Sequence, residues 1–558
     1  MAVLTMIVIV DFGSQTTHLI GRRIRELGVE VKIISPEKIP KIIQNDKRVK
    51  GIILSGGPSS VYEKKAPTIN KVIFNLGIPI LGICYGLQLT IYLLGGKVVS
   101  GKKEYGPATL TLKSEYRNTK LETNSNNQNT KRFGFRISDF DIAKDLPKSF
   151  VVWMSHGDEV IKLPKGFETF GSTEHVPFAL TGDLKRNIYG LQFHPEVEHT
   201  EYGLRILRNF MEICGLESNL RIQSKLKSQK SKVKTATQNS KIRNEIEKIT
   251  EDIKKTVGNN YVIGAVSGGV DSTVAAALTT RAIGDRFIPI YVNNGLMRQG
   301  TGENVVKMFK RIGIKPIVVN AVGEMLGRLK KITDSEEKRK IIGNFYIEIF
   351  EREMKKMLVK KLPVKFLLQG TIYSDVIESQ GTKHSAKIKS HHNVGGLPKK
   401  MKLKLLEPVR NFYKDEVRKI GRELGLPEEF VSKQPFPGPG YAVRIRGEVT
   451  RERLKMAKKA DEIVLSELKK AKILSNVFLS FPVMTNAFST AVKGDGRQFG
   501  EVIALRVVDS KDIMTSNWTR LPYEILQKIS SRIVNEVPGV SRVVYDITTK
   551  PPATMEWE

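Results

Sequence analysis

A cysteine set between two glycines, Gly82-Ile83-Cys84-Tyr85-Gly86, and a histidine and glutamate one residue apart, His194-Pro195-Glu196, can together cleave an acyl bond. A thiol attacks only as the thiolate, so it needs a proton acceptor and surroundings that favour negative charge. The flanking glycines permit the cramped strand-to-helix turn that exposes a nucleophile. The apolar stretch from Leu87 to Leu94 then predicts a helix, placing Cys84 beside free N–H groups and the positive end of a dipole. Further backbone donors in Ser55-Gly56-Gly57-Pro58 complete a candidate oxyanion site. On an extended segment alternate residues share a face, so Glu196 can orient His194 while the imidazole serves as base and then as acid. A lone Gly-x-Cys-x-Gly fits a buried structural cysteine equally well. The His-Pro-Glu partner, late in the same region, decides for catalysis.

A second group, Ser267-Gly268-Gly269-Val270-Asp271-Ser272, follows the apolar strand Tyr261 to Val266 and precedes an Ala-rich helix, Thr273 to Arg281. Backbone N–H groups, hydroxyls and a helix dipole in this order form a phosphate nest. The Gly-Lys-Ser/Thr ending of a Walker loop is absent, and with it the lysine and hydroxyl expected for γ-phosphate transfer. Farther on, Asp375-Val376-Ile377-Glu378 opens a segment that runs through Lys383, His384, Lys387, Lys389, His391 and His392 to Gly395-Gly396. A Gly-flanked, cation-rich segment suits a lid over phosphates, although alone it reads equally as a solvated basic loop.

The elements that must position these groups alternate. Up to about Gly215, short apolar runs (Ile7 to Val10, Ile52 to Leu54, Ile78 to Ile83, Val151 to Met154, Ile188 to Phe193) are separated by helical stretches such as Thr17 to Leu27. This predicts a parallel sheet covered by helices. Asn118 to Thr130 is polar and reads as an exposed loop, and Ser218 to Lys241 as a basic, partly helical connector. Strands at Phe287 to Val292 and Phe366 to Gly370 continue a second α/β region. After Gln434-Pro435-Phe436-Pro437-Gly438-Pro439-Gly440 the tail reads as α+β, with strands at Glu501 to Val508 and Arg542 to Ile547 and helices at Glu448 to Lys472 and Tyr523 to Val537.

Bulk properties exclude more than they select. With 558 residues, 40% hydrophobic and 27% charged, the chain is globular and long enough for three or four domains. Two cysteines without paired spacing make a disulfide framework or a structural zinc site improbable, and point to a reducing, cytoplasmic setting. The run Ile7 to Val10 ends at Asp11 and reads as a buried strand, not a signal peptide or membrane span. The formal charge of +33 permits nucleic-acid binding. Its lysines are scattered, however, without aromatic interleaving, which favours a basic surface with pockets for anionic small molecules.

The cysteine motif and its His-Pro-Glu partner resemble the class I glutamine amidotransferases, in which Cys-His-Glu releases ammonia through a glutamyl thioester. That resemblance implies Cys84 as nucleophile, His194 as acid and base, and Glu196 as its orienter. It also implies Gly57 and Tyr85 as oxyanion donors, with Gln88 and Asp158 beside the glutamine. The Ser-Gly-Gly-Val-Asp-Ser nest resembles the ATP pyrophosphatases, which cleave between the α and β phosphates, need Mg²⁺, and adenylate an acceptor oxygen. No metal ligand can be named from the sequence. The runs 375–379, 388–398, 434–440, 541–546 and Lys550-Pro-Pro-Ala-Thr-Met-Glu-Trp-Glu558 resemble the glutamine-hydrolysing GMP synthetase family over nearly the whole chain.

Membership of that family implies an amidotransferase domain at 1–216, a basic linker at 217–243, an adenine-nucleotide α-hydrolase-like domain at 244–435 and a C-terminal dimerisation domain at 436–558. It places Asp375, Glu378 and Lys389 in the adenylation lid. Arg542, Lys550 and Glu556 fall in an XMP pocket. Glutamine, ATP and XMP are the implied substrates, the protein is expected to be a homodimer, and nucleic acid and membrane are not expected partners. Tyr441, where Leu is common in the family, is among the few departures. Two rival readings remain open on the residues: a related amidotransferase with another acceptor, and an RNA-modifying enzyme using the same nest.

Overall fold

The computed structural model describes all residues except 1–4, 41, 43–45, 114–140, 217–230, 312, 314, 360, 374, 377–402, 494–495 and 511–512. The expected Asn-rich loop and most of the basic connector therefore lie outside the described residues. Two compact units form, one running to Ser231 with the short stretch Thr549–Pro552, the other holding most of the remainder to Glu558.

The first unit is built on nine strands: β1 Met6–Val10, β2 Glu30–Ile34, β3 Val49–Leu54, β4 Ile80–Ile83, β5 Lys97–Leu112, β6 Ser149–Lys162, β7 Glu168–Ser172, β8 Leu180–Asp183 and β9 Ile188–Leu191. Their order is β2-β1-β3-β4-β9-β8-β7-β5-β6. The five from β2 to β9 pair in parallel, as the alternating pattern predicts. Every residue of β1 and β4 is buried, because helices cover both faces and demand a continuous apolar run. Helix α1, Thr17–Glu26, turns Leu19, Ile20 and Ile24 inward and leaves Arg25 exposed. The sheet is mixed rather than wholly parallel, since β8, β7, β5 and β6 extend it in antiparallel fashion. The apolar run Val151 to Met154 is only the middle of β6, a strand fourteen residues long.

Helix α2, Tyr85–Leu93, leaves β4 at the cysteine turn, and that turn works only with glycine on both sides. A Cβ on Gly82 would lie 2.7 Å from the Gly86 carbonyl carbon and the Leu87 nitrogen. A Cβ on Gly86 would collide with the Leu54 carbonyl of β3. Helix α3, Gly203–Ile213, buries Ile206, Leu207 and Phe210 in the same core.

In the second unit, helix α4, Ser231–Val257, leads to a five-stranded parallel sheet. Its strands are β10 Tyr261–Ala265, β11 Phe287–Asn293, β12 Ile317–Asn320, β13 Val364–Leu368 and β14 Lys404–Leu406, in the order β12-β11-β10-β13-β14. The chain moves outward from β10 to β12, then returns to β13 on the other side. The C-terminal end of β10 is therefore a switch point, where open α/β sheets form a crevice. Helix α5, Val270–Ile283, starts there, three residues earlier than its Ala-rich stretch suggests.

A second sheet in this unit is formed by β15 Leu479–Lys493, β16 Gly496–Asp509, β17 Asn517–Trp518 and β18 Val540–Asp546, with β16 pairing all three others. Helices α6 Ser335–Val359, α7 Lys414–Glu423, α8 Arg451–Lys470 and α9 Tyr523–Glu536 pack around the two sheets. One apolar core joins Ile263, Ile290 and Leu367 of the parallel sheet to Ile503 and Leu505 of β16. It continues without a break across position 435, where the composition changes.

Three buried cations hold the tail against this core. Arg506 donates to Asp546 and to the carbonyls of Thr548, Thr554 and Met555. Lys338 donates to the carbonyls of Ala442 and Ile445 and to Glu558 at 3.0 Å. Arg444 takes both oxygens of Glu556 at 2.9 and 3.0 Å. The side chains of all three are fully buried, which is stable only because their charges are matched and hydrogen-bonded.

The two kinds of glycine in this fold should separate on substitution. Gly86→Ala should lower the thermal midpoint by several degrees, since overpacking costs about 1–3 kcal/mol. Gly343→Ala, in α6 with nothing within 4 Å of the added Cβ, should hold or raise it. Calorimetric scans of both variants provide the comparison.

Candidate active sites

In the first unit the residues singled out by type converge at the C-terminal edge of the parallel strands. Cys84 has φ 52° and ψ −107°, a left-handed backbone that L-residues rarely adopt. Its N–H donates to the Leu191 carbonyl at 2.7 Å, tying the turn to the end of β9. His194 stands three residues after the end of β9, and its Nδ1 meets Glu196 Oε1 at 2.8 Å. Nε2 is then the nitrogen left to face Cys84. Burial disfavours a charged imidazole here, but the Glu196 carboxylate, helped by Cys84, outweighs it and holds His194 well above its ordinary value. Glu196 is wholly buried. A carboxylate so placed fixes the tautomer and stabilises the imidazolium formed on accepting the thiol proton.

The oxyanion candidates lie alongside. A Cβ on Gly57 would sit 2.9 Å from the Phe12 carbonyl, so that position requires a bare backbone, and one on Gly56 would crowd His194 Cε1 at 3.3 Å. The Tyr85 phenol donates to the Pro67 carbonyl at 2.6 Å, which leaves only its backbone N–H for an oxyanion. Tyr85 is also the first residue of α2, where N–H groups lack helical partners. Gln88 Nε2 donates to the Asp158 carbonyl at 2.9 Å, and the Asp158 carboxylate accepts from Tyr62 at 3.0 Å. His156 is buried and meets the same carbonyl through Nδ1 at 3.0 Å. His199 is half-buried against Trp153, with ring centroids 4.8 Å apart, rather than solvent-exposed as its position after the motif suggests.

In the second unit the nest sits at the switch point. Gly268 has φ 76°, and a Cβ there would lie 2.7 Å from Val305 Cγ2. The Ser267 and Ser272 hydroxyls are 3.0 Å apart, and Ser267 Oγ accepts from the Gly269 N–H at 3.3 Å. The Val270 side chain is buried in the core, so only its backbone faces outward chemistry. Gly370, just after β13, passes so close that a Cβ would lie 2.6 Å from the Ser272 nitrogen.

Two lysines that the sequence did not single out flank this nest. Lys414 of α7 is paired with Asp271 Oδ2 at 2.6 Å. Lys433 reaches the Gly268 carbonyl at 3.5 Å and forms no ion pair among the described residues. Burial and the neighbouring Arg298 guanidinium push it below the ordinary lysine value. Asp271 Oδ1 is buried without a hydrogen-bond partner among the described residues. An orphaned carboxylate oxygen beside a phosphate nest fits a hard divalent cation, which takes one or two protein carboxylates and completes its shell with phosphate and water. Among the described residues no group of three or more His, Cys, Asp or Glu is arranged for a metal.

The remaining candidates are less closely gathered. Asp375 accepts from the Ile372 N–H at 3.2 Å, while Glu378 and Lys389 lie outside the described residues. Arg542 is exposed on β18. Lys550 falls in Thr549–Pro552, which groups with the first unit, whereas Arg542 and Glu556 belong to the second. Both oxygens of Glu556 accept from Arg444, whose guanidinium is held over the rings of Phe436 and Phe481 at 4.5 and 4.1 Å. Arg444 Nη1 is buried with no hydrogen-bond partner among the described residues. Tyr441 uses its hydroxyl to donate to Asp461 at 2.8 Å, and Asp461 also takes Arg298 at 2.6 Å.

Residues 8–214 match the family model described as glutamine amidotransferase class-I, residues 241–346 that described as NAD synthase, and residues 466–557 that described as GMP synthase C terminal domain. The chain is 48% identical over 554 residues to the glutamine-hydrolyzing GMP synthase of Aquifex aeolicus, with 99% of each chain covered. Those of Campylobacter hominis and Caldanaerobacter subterraneus are each 47% identical, again with 99% of both chains covered. The chain belongs to the glutamine-hydrolysing GMP synthase family.

Proposed function

We propose that Cys84, His194 and Glu196 release ammonia from glutamine, and that the nest at Ser267–Ser272 binds the ATP used to receive it. The reaction is glutamine-dependent GMP synthesis, a carbon–nitrogen ligation. The observation that supports these residue roles best is the buried Glu196–His194–Cys84 array at a left-handed strand-to-helix turn. His194 takes the thiol proton through Nε2, and Cys84 Sγ attacks the carboxamide carbon of glutamine. The Gly57 and Tyr85 N–H groups receive the oxyanion. His194 then protonates the leaving nitrogen, giving ammonia and a glutamyl thioester. A water, deprotonated by the same imidazole, releases glutamate.

At the second site the backbone of Gly268 to Ser272 and the Ser267 and Ser272 hydroxyls hold ATP phosphates, with Lys433 as the uncommitted cation. The C2 oxygen of XMP attacks the α-phosphorus and pyrophosphate leaves. Ammonia attacks C2, AMP departs, and GMP results. Asp271 would hold Mg²⁺ through Oδ1, and that ion supplies charge neutralisation for the phosphates when bound. Asp375, Glu378 and Lys389 act in the lid, and Arg542, Lys550 and Glu556 in the XMP pocket. The domain divisions at 216, 243 and 435 and a cytoplasmic location belong to the same reading. No helix among the described residues is long and apolar enough to cross a membrane. A homodimer formed through the C-terminal region is supported by exposed, stacked Phe488 and Phe499 on the β15–β16 hairpin.

Incubation with ATP, Mg²⁺, XMP and amide-¹⁵N glutamine should yield AMP, pyrophosphate and ¹⁵N-labelled GMP together. Cys84→Ala should abolish glutamine-driven GMP formation while amination by added ammonium salts persists. Loss of both activities would count against two separate centres. Asp271→Asn should lower AMP formation at least roughly tenfold and raise the Mg²⁺ concentration it requires, a metal titration being the readout. Glu556→Gln should raise the KM for XMP about tenfold or more, removal of a charged hydrogen-bond partner being worth roughly that; unchanged steady-state kinetics would remove Glu556 from the pocket.

A further inference from the structure

Gln192 stands between β9 and His194, and its side chain is wholly buried. Its main chain is fixed by the N–H bond to the Ala179 carbonyl at 2.9 Å. The side chain meets two polar groups: its Oε1 accepts from Gln88 Nε2 at 3.3 Å, and its Nε2 lies 3.7 Å from Cys84 Sγ. The orientation of this amide is forced from outside the pair. The Asp158 carbonyl can only accept, so the Gln88 group facing it at 2.9 Å must be the NH₂ end. The second N–H of that same NH₂ then points at Gln192, which must answer with its oxygen. Its own NH₂ is left facing the sulfur.

We infer that Gln192 is a positioning residue for the nucleophile, its amide N–H held toward Cys84 Sγ by the Asp158–Gln88 relay so that it donates to the thiolate. The inference rests on Cys84 being the attacking group. When the Sγ–H proton passes to His194 Nε2, the new anion sits in a site where only 5% of the residue is exposed, and water is a poor source of donors. A buried anion needs hydrogen bonds to replace its hydration, and those to charged groups are the strong ones. The other polar neighbour works the opposite way. The Ser155 carbonyl, 3.6 Å from Sγ, can only accept, and so favours the protonated thiol. Gln192, together with the imidazolium of His194, reverses this preference once the proton has moved. The relay also ties the sulfur to glutamine recognition, because Gln88 and Asp158 are the residues proposed to lie beside the substrate.

Gln192→Glu separates the two roles. It keeps an oxygen for Gln88 to donate to, and replaces the donor facing sulfur by an acceptor. Alkylation of Cys84 by iodoacetamide, without glutamine, is followed across pH by mass spectrometry of the Cys84 peptide. Cys214, the other thiol, lies in the apolar core, where burial pushes it far above its ordinary value, so the two signals stay distinct. The alkylation profile should move to higher pH by about one unit, and glutaminase kcat at neutral pH should fall about tenfold, with the KM for glutamine within about twofold. A profile that coincides with the unsubstituted protein, or a rise in KM alone, overturns the inference and leaves Gln192 as a support for Gln88. Should Gln192→Glu lose its thermal transition, Gln192→Met, which removes the donor without adding charge, is read by the alkylation profile alone: a move to higher pH supports the inference and a coincident profile overturns it. Failure of Cys84 to support glutaminase activity in the unsubstituted protein would instead sink the catalytic reading itself, which keeps the two failures apart.

Discussion

The left-handed backbone at Cys84 is the constraint on which the first active centre depends. Holding a non-glycine residue at φ 52° costs about 1–3 kcal/mol, and the surrounding structure must supply it. The sheet does so by pinning both sides of the turn. The Cys84 N–H is fixed to the end of β9, and Gly86 lies against the Leu54 carbonyl of β3 with no room for a side chain. A sulfur that would otherwise point into a core is thereby aimed at the imidazole delivered by the segment after β9. Strain and reactivity have one origin here, since relaxing the turn would rotate Sγ away from His194.

The second centre solves a different problem with the same architectural rule. Both centres occupy the C-terminal ends of parallel strands, where helix N-termini present N–H groups. On the proposed reading those groups meet a transient oxyanion in the first unit, and in the second phosphates that are charged from the outset. The difference appears in the side chains. The thiol site holds one buried ion pair among neutral amides and carbonyls, whereas the nest is flanked by two lysines, of which Lys414 is matched by Asp271 and Lys433 by no carboxylate among the described residues. Under the proposed function, the counter-ion of this half-buried ammonium arrives with the ligand.

Much of this was legible in the sequence because it depends on local geometry. The two glycine-bracketed turns, the strands feeding them and the order of elements follow from short-range patterning, and the nest appears where its residues predict. What could not be read depends on distant partners. Val151 to Met154 marks only the middle of β6, because the rest of that strand is half exposed and lacks an apolar run. Helix α5 begins at Val270 because the nest residues themselves form its first turn, which no propensity reveals. Arg444, Arg506 and Lys338 look like ordinary surface cations in a lysine-rich chain. Their burial is set by carbonyls and carboxylates scores to hundreds of residues away. Gln192 is equally silent, since an amide between a strand and a histidine acquires meaning only when Gln88 and Cys84 are placed around it.

The clamp on the tail has a consequence for how this protein responds to its medium. Ion pairs on the surface are weakened by dissolved electrolyte within a few ångströms to a nanometre, and this chain carries many unmatched surface lysines whose mutual repulsion is eased in the same way. Arg444, Arg506 and Lys338 are shielded from mobile counter-ions, so the seating of residues 553–558 is decoupled from ionic strength. In concentrated salt the exterior relaxes while residues 553–558 stay seated, which makes this corner of the molecule insensitive to the ionic composition around it.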